Sequence, residues 1–362
     1  MNIVMFPDCS KDNKYIELIR NALENLDIKI NSLNETLNNK KKFNETEYFI
    51  FNWYESLYTN SLLNQSKIFI KKFRLLINLK LNNKKIIWVL HNKIPHDDKY
   101  VFYSKFLMKW LVNNSYKIII HSNESKKIIN ELTNSLNIMD KVVYIPHPNY
   151  IGAYKEYCNF RYDANKELNL LFIGAIKPYK NVDLLIKVFN ELKLENVVLT
   201  LAGKTSSKQY EEYINSLINE NPNIITYFRF IEDDEIISFI NKSNMIVLPY
   251  DIKSSLNSGT IFLAFSNKRT VLSPMIGTLK DIKNDNLFFT YDYKTDYEHR
   301  DKLKESISNI YNIYINGNYI LQDMGNKCYE VVKNENTLDK ISQIFNEKIF
   351  NNRIDNVNIG DK

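Results

Sequence analysis

The residues Leu170–Leu192, LLFIGAIKPYKNVDLLIKVFNEL, hold the pattern that decides the fold. The apolar run Leu170–Ile173 stops at Gly174, which predicts a buried strand followed by a turn. Apolar residues then recur at helical spacing from Val182 onward, which predicts an amphipathic helix. Strand, glycine turn and helix form a phosphate-binding arrangement, because a helix N-terminus offers unpaired N–H groups and a positive dipole.

The turn of this βα unit also carries two cations, Lys177 and Lys180. Lysine binds phosphate as a point charge. The alternative is an ordinary βα unit whose lysines are solvated. The residues of this stretch alone leave both interpretations open.

Short apolar segments alternate with helical or polar stretches on both sides of this unit. In the first half they are Ile3–Phe6, Tyr48–Phe51, Ile86–Leu90, Lys117–Ile120 and Val142–Ile145. In the second half they are Leu170–Ile173, Val197–Ala202, Ile224–Phe228, Met245–Leu248, Val271–Leu272 and Leu287–Phe289. Helices are predicted at Tyr15–Leu26, Tyr210–Asn219 and Glu232–Asn241. This alternation predicts an α/β protein with parallel sheets covered on both faces.

A length of 362 residues exceeds one typical core and favours two domains. The polar stretch Asn159–Asn169 is predicted to link the two domains. We therefore predict doubly wound, Rossmann-like domains at 1–157 and 159–334. Two consecutive α/β halves are expected to face a central cleft that presents loops to a ligand.

Composition excludes several classes of protein. The net charge of +6, from 48 basic and 42 acidic residues, suits an anionic ligand or membrane surface but does not indicate nucleic-acid binding. No run approaches the roughly 18 apolar residues of a membrane span, and the N-terminus does not resemble a secretory signal. Three scattered cysteines, Cys9, Cys158 and Cys328, argue against disulfides or zinc, so we expect a cytoplasmic protein.

Longer motifs then point to a family. In the second half they are FIGAIKPYKNVDLLIKVF, VVLTLAGK at Val197–Lys204 and IVLPYDIKSSLNSGTIFLAFSNKRTVLSP at Ile246–Pro274. In the first half they are NKY at Asn13–Tyr15, HNKIPHDD at His91–Asp98, IIIHSNESKKII at Ile118–Ile129 and VYIPHPNY at Val143–Tyr150. The sequence resembles the GT-B glycosyltransferases, specifically family 4, which builds bacterial polysaccharides. The resemblance implies that a last helix, Leu338–Phe350, packs back on the first domain.

For the second half, the resemblance implies a nucleotide-sugar site. It puts Lys177 and Lys180 at the family's phosphate-binding basic positions. Ser258 suits an N-cap and Gly259 allows close approach to the backbone, so the helix that begins there is a second anion site. The full set expected to bind the donor is Gly174, Lys177, Lys180, Tyr250, Ser258, Gly259 and Thr260.

One departure from the family concerns its two glutamates, eight positions apart, of which the first touches the sugar and the second the ribose. Alignment of LAFSNKRTV puts Ser255 and Leu263 at these positions, and neither side chain has a carboxylate. Asp251 and Asp281 are candidates to replace them.

The first half is expected to bind the acceptor. Imidazole can polarise or deprotonate a hydroxyl, and His96 matches the family's histidine near the reacting sugar, so His96 is the predicted catalytic residue. The residues expected to bind the acceptor are Asn13, Tyr15, His91, Asp97 and His147. His121 is expected only to close a strand end. The alternative is that the loop histidines are satisfied by backbone groups.

The resemblance therefore implies transfer of a sugar from UDP-, GDP- or a similar nucleotide sugar to a hydroxyl of a growing, lipid-linked glycan. No metal or cofactor is expected. Retaining members are thought to work without a protein nucleophile, the leaving phosphate taking the acceptor proton. An inverting enzyme would need a base, for which His96 or Asp97 comes first. A catalytically silent sugar-nucleotide or glycan-binding protein is the alternative.

Two basic amphipathic stretches, Ser66–Lys85 and Lys105–Leu111, suit the surface of an anionic membrane. The alternative is two domain helices whose lysines snorkel to water. We expect a cytoplasmic protein that meets the inner membrane face peripherally.

Overall fold

A computed structural model describes residues 1–10, 14–57, 59, 61–93, 101–154, 167–282, 285–317 and 319–351. The chain divides into two compact units. The first unit comprises Met1–Pro148 and Glu335–Lys362, and the second unit comprises Asn149–Asn334.

The first unit is a six-stranded parallel sheet with helices on both faces. Its strands are β1 (Asn2–Phe6), β2 (Lys29–Asn31), β3 (Tyr48–Asn52), β4 (Lys85–Leu90), β5 (Lys117–Ile120) and β6 (Val142–Tyr144), in the order β2-β1-β3-β4-β5-β6. Its helices before residue 149 are α1 (Lys14–Glu24), α2 (Leu33–Asn38), α3 (Lys40–Glu45), α4 (Leu62–Leu81), α5 (Val101–Asn114) and α6 (Ser125–Leu132).

Two separate cores cover the faces of this sheet, because successive strand residues point to opposite sides. On one face Ile3, Met5, Ile50, Ile87 and Val89 pack with α1. On the other face Val4, Phe49, Phe51, Trp88 and Leu90 pack with α4 and α5. Burial on both faces explains why these strands read as continuous apolar runs.

The second unit repeats this architecture. Its strands are β7 (Leu168–Ile173), β8 (Val197–Ala202), β9 (Ile224–Tyr227), β10 (Met245–Val247), β11 (Thr270–Pro274) and β12 (Phe289–Tyr291), all parallel, in the order β12-β11-β10-β7-β8-β9. Its helices are α7 (Val182–Leu192), α8 (Lys208–Ile218), α9 (Asp233–Asn241), α10 (Gly259–Ser266), α11 (Gly277–Lys280), α12 (Asp296–Asn316) and α13 (Tyr319–Glu335). The α/β class with two parallel sheets is therefore confirmed.

The last helix, α14 (Leu338–Ile344), packs on α1 in the first unit. Ser342 Oγ donates to the Ala22 carbonyl at 2.6 Å, and a π-helical turn, Phe345–Ile349, extends the helix. Phe350 then packs edge-on against Tyr48 of β3, with 5.1 Å between ring centroids. The first unit is thus built from both ends of the chain.

The second unit begins earlier than the polar link predicted. Asn149 Nδ2 donates to the Val332 carbonyl at 3.0 Å, and the Tyr150 amide donates to Ser266 Oγ at 2.8 Å. These bonds attach the chain to the second unit from residue 149, whereas we predicted a boundary between 157 and 159.

One predicted strand begins too early, and one strand was not predicted. Leu287 lies in a 3₁₀ turn, Asp285–Leu287, and β12 comes after it. The Leu287 carbonyl accepts from Thr270 Oγ1 at 2.7 Å, which holds the turn beside β11. The edge strand β2 was missed, because a three-residue segment reading Lys-Ile-Asn gives no apolar run.

Gly203, just after β8, allows the first two βα turns of the second unit to approach closely. Its φ is +153°, and a Cβ placed there would lie 1.9 Å from the Gly174 carbonyl oxygen. The Gly174 amide donates to the Ala202 carbonyl at 2.9 Å, so the backbones are already in contact. Only glycine fits this position.

We expect Gly203→Ala to lower the free energy of unfolding by more than about 3 kcal/mol, because backbone atoms must move to relieve the clash. Gly152→Ala is the matched control, since Gly152 also has positive φ, +75°, but no atom of the described residues lies within 4 Å of an added Cβ. It should cost about 1–2 kcal/mol. Urea denaturation of both variants measures the difference, and equal losses would contradict the close-approach argument.

Candidate functional site

The turn after β7 brings a lysine and a threonine together above Gly174. A Cβ on Gly174 would lie 3.3 Å from Lys180 Nζ and 4.0 Å from Thr260 Oγ1. Gly174 has φ +126°, and the Pro178–Lys180 turn leads through left-handed Asn181 into α7. The glycine therefore leaves open a space that an ammonium and a hydroxyl line together.

Lys180 lies among aromatic rings. Its Nζ is 5.9 Å from the ring centroids of both Phe172 and Tyr250. Burial of the ammonium, with a smaller effect of nearby Lys177, lowers the pKa of Lys180 to about 8. Burial disfavours the charged form of the lysine, and an anion that approaches it stabilises that form again.

The N-terminus of α10 is the second element of this site. Its N-cap residue, Ser258, makes no side-chain capping bond; its Oγ instead lies 3.2 Å from Tyr250 Oη. The Ser258 amide donates to Thr278 Oγ1 at 3.1 Å, which fixes the start of the helix. The helix dipole and the first-turn amides favour an anion here. The structure thus brings together Gly174, Lys180, Tyr250, Ser258, Gly259 and Thr260.

Lys177 begins the turn that carries Lys180. Its carbonyl accepts from the Lys180 amide at 2.9 Å, and its side chain is partly buried. The backbone of Lys177 thus belongs to the turn and its charge acts on Lys180, whereas donor binding by its side chain stays a prediction.

The positions that lack the family's glutamates are buried. Ser255 lies in the loop before α10 and donates its amide to the Asp251 carbonyl at 2.9 Å. Leu263 lies inside α10 and is 8% exposed. Asp251 uses its carboxylate within the loop, where it accepts from the Lys253 amide at 3.0 Å and from Ser254 Oγ at 3.2 Å. Asp281 is the C-cap of α11.

In the first unit, three histidines and two aromatic residues gather where the parallel strands end. Tyr15 Oη lies 2.8 Å from His121 Nε2, and its ring centroid is 5.0 Å from His91 and 5.2 Å from His147. Trp53 stacks on His91, with centroids 4.1 Å apart and planes at 19°. Of the predicted acceptor residues, Tyr15, His91 and His147 thus lie together.

Hydrogen bonds fix the tautomer of His121. Its Nδ1 lies 2.8 Å from the Ile145 carbonyl, so Nδ1–H donates and Nε2 accepts from the Tyr15 hydroxyl. Burial lowers the pKa of His121 to about 4 and that of His147 to about 3. Burial also holds the pKa of His91 well below its usual range. All three imidazoles are neutral at physiological pH.

Sequence reasoning missed two members of this cluster, His121 and Trp53. His121 was expected only to close a strand end, although its position directly after β5 was a usable signal. Trp53 follows β3 with a left-handed backbone, φ +49°, which no sequence pattern indicated. The predicted residues Asn13, His96 and Asp97 lie outside the described residues.

The described residues hold neither a metal-binding cluster nor a membrane-spanning helix. There, no group of three or more His, Cys, Asp or Glu side chains is placed to hold a metal ion. In the same ranges, no helix is both long and apolar enough to cross a bilayer.

Comparison with known proteins gives one family model that matches part of the chain and two similar proteins. Residues 160–253 match the family model of glycosyl transferases group 1. A GDP-mannose:glycolipid 4-beta-D-mannosyltransferase of Xanthomonas campestris is 25% identical over 201 residues, 55% of this chain and 53% of that protein. An uncharacterised glycosyltransferase of Methanocaldococcus jannaschii is 28% identical over 145 residues, 40% of this chain and 36% of that protein. The match thus spans about half the length of the mannosyltransferase and just over a third of the length of the archaeal protein.

Solved structures show the fold. The Anabaena protein Alr3699/HepE in complex with UDP and glucose has a TM-score of 0.70 at 11% identity, covering 96% of this chain and 99% of that one. Together with the family match, this confirms the predicted resemblance to GT-B glycosyltransferases. Membership of family 4 in particular stays a prediction.

We expect the buried imidazoles to make stability depend on pH. The unfolded chain binds protons on His121 and His147 near pH 6.5, whereas the folded chain binds them only near pH 4 and pH 3, respectively. The free energy of unfolding should therefore fall as pH drops from about 6.5 to about 4, by about 1.4 kcal/mol per pH unit for each imidazole.

Urea denaturation between about pH 7 and about pH 5 measures this slope. Because carboxylates also contribute, the comparison is between the wild-type protein and His121→Asn, which should have the shallower slope. Identical slopes would show that His121 is protonated equally in both states.

Proposed function

We propose that this protein is a glycosyltransferase that moves a sugar from a nucleoside-diphosphate sugar to a hydroxyl of a glycan. The observation that carries the proposal is the pairing of the Lys180 ammonium with the N-terminus of α10 above Gly174. A diphosphate leaving group gains negative charge as the sugar departs, and a preformed cation and helix terminus stabilise that charge.

The donor is proposed to be UDP- or GDP-linked. The Anabaena structure contains UDP, and the name of the Xanthomonas relative specifies GDP-mannose. Ser255, in the loop before α10, and Leu263, inside α10, have no carboxylate, so the sugar and ribose hydroxyls must be held by other groups. We propose that transfer needs no metal, because Lys180 and the N-terminus of α10 stabilise the negative charge of the diphosphate.

The acceptor is proposed to bind the first unit at the cluster of Tyr15, His91 and His147. Neutral imidazoles suit a hydroxyl substrate, because each has one donor and one acceptor nitrogen. His96 remains the predicted catalytic residue. We propose that the reaction retains the configuration of the transferred sugar, with the leaving phosphate taking the acceptor proton.

A silent binding protein is the second candidate, and the residues Ser255 and Leu263 favour it. Calorimetry with UDP, GDP and their sugars separates the two. Binding of a nucleotide sugar with transfer to a glycan supports the enzyme, and binding without hydrolysis or transfer supports the silent protein. An absence of binding to all of these ligands at millimolar concentration would overturn the enzyme.

We further propose that the acceptor is lipid-linked and is met at an anionic membrane. The exposed face of α4 carries four apolar and two basic residues along one stripe: Leu63, Lys67, Ile70, Arg74, Ile77 and Leu81. Leu63 and Leu81 are 73% and 77% exposed. The sequences of α4 and α5 contain no Asp or Glu.

Aromatic residues join the two helices of this face. Phe73 of α4 packs edge-on against Phe106 of α5, with centroids 5.4 Å apart, and Phe102 is 74% exposed. Basic and apolar groups on one surface suit peripheral binding to anionic lipids, each basic residue contributing about 1 kcal/mol. The relative from Xanthomonas is named for a glycolipid acceptor, which agrees with this proposal.

We expect Lys180→Ala to weaken binding of UDP or GDP by about 1.5–3 kcal/mol, because a charged phosphate contact is lost. Lys302→Ala is the control of equal charge, since Lys302 is an exposed residue of α12 paired with Glu305. Its effect on affinity and stability should stay within about 0.5 kcal/mol. Calorimetry on both folded variants checks this, and unchanged affinity in Lys180→Ala would show that Lys180 does not contact the donor phosphates.

We expect the protein to sediment with anionic vesicles and not with neutral ones, and less so at high salt, which screens the surface potential. Replacing Lys67 and Arg74 together by Glu should abolish this binding. Replacing Lys40 and Lys41 together by Glu changes the charge equally on α3 and should largely preserve it. Equal failure to bind both kinds of vesicle would remove the membrane proposal and leave the transferase proposal intact.

A further inference from the structure

The loop of residues 248–258, which we call the donor loop, joins both parts of the anion site. It carries Tyr250 and ends at Ser258, the N-cap of α10. Its Asp251 amide donates to the Tyr179 carbonyl at 3.0 Å, directly beside Lys180 in the neighbouring turn. The position of this loop therefore sets how the Lys180 turn lies relative to the start of α10.

A side chain from outside the loop, that of Tyr293, holds its first part. Tyr293, two residues after β12, accepts at Oη from the Ile252 amide at 2.9 Å and lies 3.2 Å from the Tyr250 carbonyl, to which it donates. One hydroxyl thus satisfies two backbone groups on either side of Asp251. Such bonds fix a loop backbone far better than packing of flexible side chains does.

The ring of Tyr293 is itself fixed. It stacks on His299 of α12, with centroids 3.9 Å apart and planes at 5°. His299 Nε2 in turn lies 3.0 Å from Tyr291 Oη. Tyr293 and His299 are 5% and 3% exposed. The hydroxyl is therefore presented to the donor loop by a rigid, buried support that belongs to another part of the sheet.

We propose that Tyr293 is a positioning residue for the anion site, holding the donor loop so that Lys180 and the N-terminus of α10 meet the same diphosphate. The proposal rests on the proposed function. Tyr293 acts through the loop backbone. Removing the Tyr293 hydroxyl should therefore weaken donor binding more than it slows the reaction of the bound donor.

The test compares Tyr293→Phe with Tyr291→Phe. The first removes the hydroxyl that holds the loop and keeps the ring on His299. The second removes a buried hydroxyl that bonds the same histidine, so any general loss of packing appears in both variants.

We expect Tyr293→Phe to raise the Kd for UDP or GDP, and the donor KM, roughly five- to tenfold, as for one lost hydrogen bond. The kcat should change by less than about twofold. Tyr291→Phe should bind nucleotide like the wild-type protein. An equal rise in both variants, or an unchanged Kd in Tyr293→Phe, would overturn the proposal.

Hydrogen exchange of the Ile252 amide provides a reading that needs no nucleotide. Faster exchange in Tyr293→Phe alone supports the positioning, and equal exchange in all three proteins overturns it. If neither UDP nor GDP binds the wild-type protein, the proposed function fails while the exchange experiment still decides whether Tyr293 holds the loop.

Discussion

The contact between two backbones, at Gly174 and Gly203, is the constraint on which the second unit's site depends. Parallel pairing of β7 with β8 brings both strand ends to one edge of the sheet, and the missing Cβ of Gly203 lets the turns touch. Since Gly174 also lacks a Cβ, the space above it stays open for the Lys180 ammonium and the Thr260 hydroxyl. A side chain at either glycine would close that space or push the turns apart.

The two units present different electrostatics at the ends of their strands. The second unit offers a partly desolvated ammonium and a helix N-terminus, both of which attract an anion. The first unit offers imidazoles kept neutral by burial, with His121 locked in one tautomer by the Ile145 carbonyl. One fold repeated twice therefore supplies a charged site and an uncharged one, and the difference comes from the residues that follow the strands.

The sequence was sufficient to predict the elements that have strong local patterns. It was insufficient to predict those that depend on tertiary contacts. The buried strands β4, β5 and β8 were predicted almost to the residue, because burial on both faces makes them continuous apolar runs. The three-residue edge strand β2 has no such run and was missed. In the site, the family resemblance indicated Lys180 and Ser258, because turn and cap patterns alone left a solvated turn and an ordinary helix start open.

The partners of these residues could not be predicted in the same way. The contact of Tyr293 with Ile252 spans 41 residues, and that of Tyr15 with His121 spans 106. No local pattern records such pairings, because they depend on which strands become neighbours. Asp251 illustrates the converse: a carboxylate that suits a ligand by composition is engaged with the Lys253 amide of its own loop.

The division of the first unit between the two ends of the chain has a consequence for biosynthesis. Ile16 and Ile19 of α1 share a core with Ile341 and Phe345, which leave the ribosome only after the whole second unit has been made. The second unit is continuous, so it can complete its core while the first still exposes an apolar face of its sheet. Nascent chains are translated over seconds to tens of seconds, long enough for such a face to recruit a chaperone. The order of assembly is then the reverse of the order of synthesis.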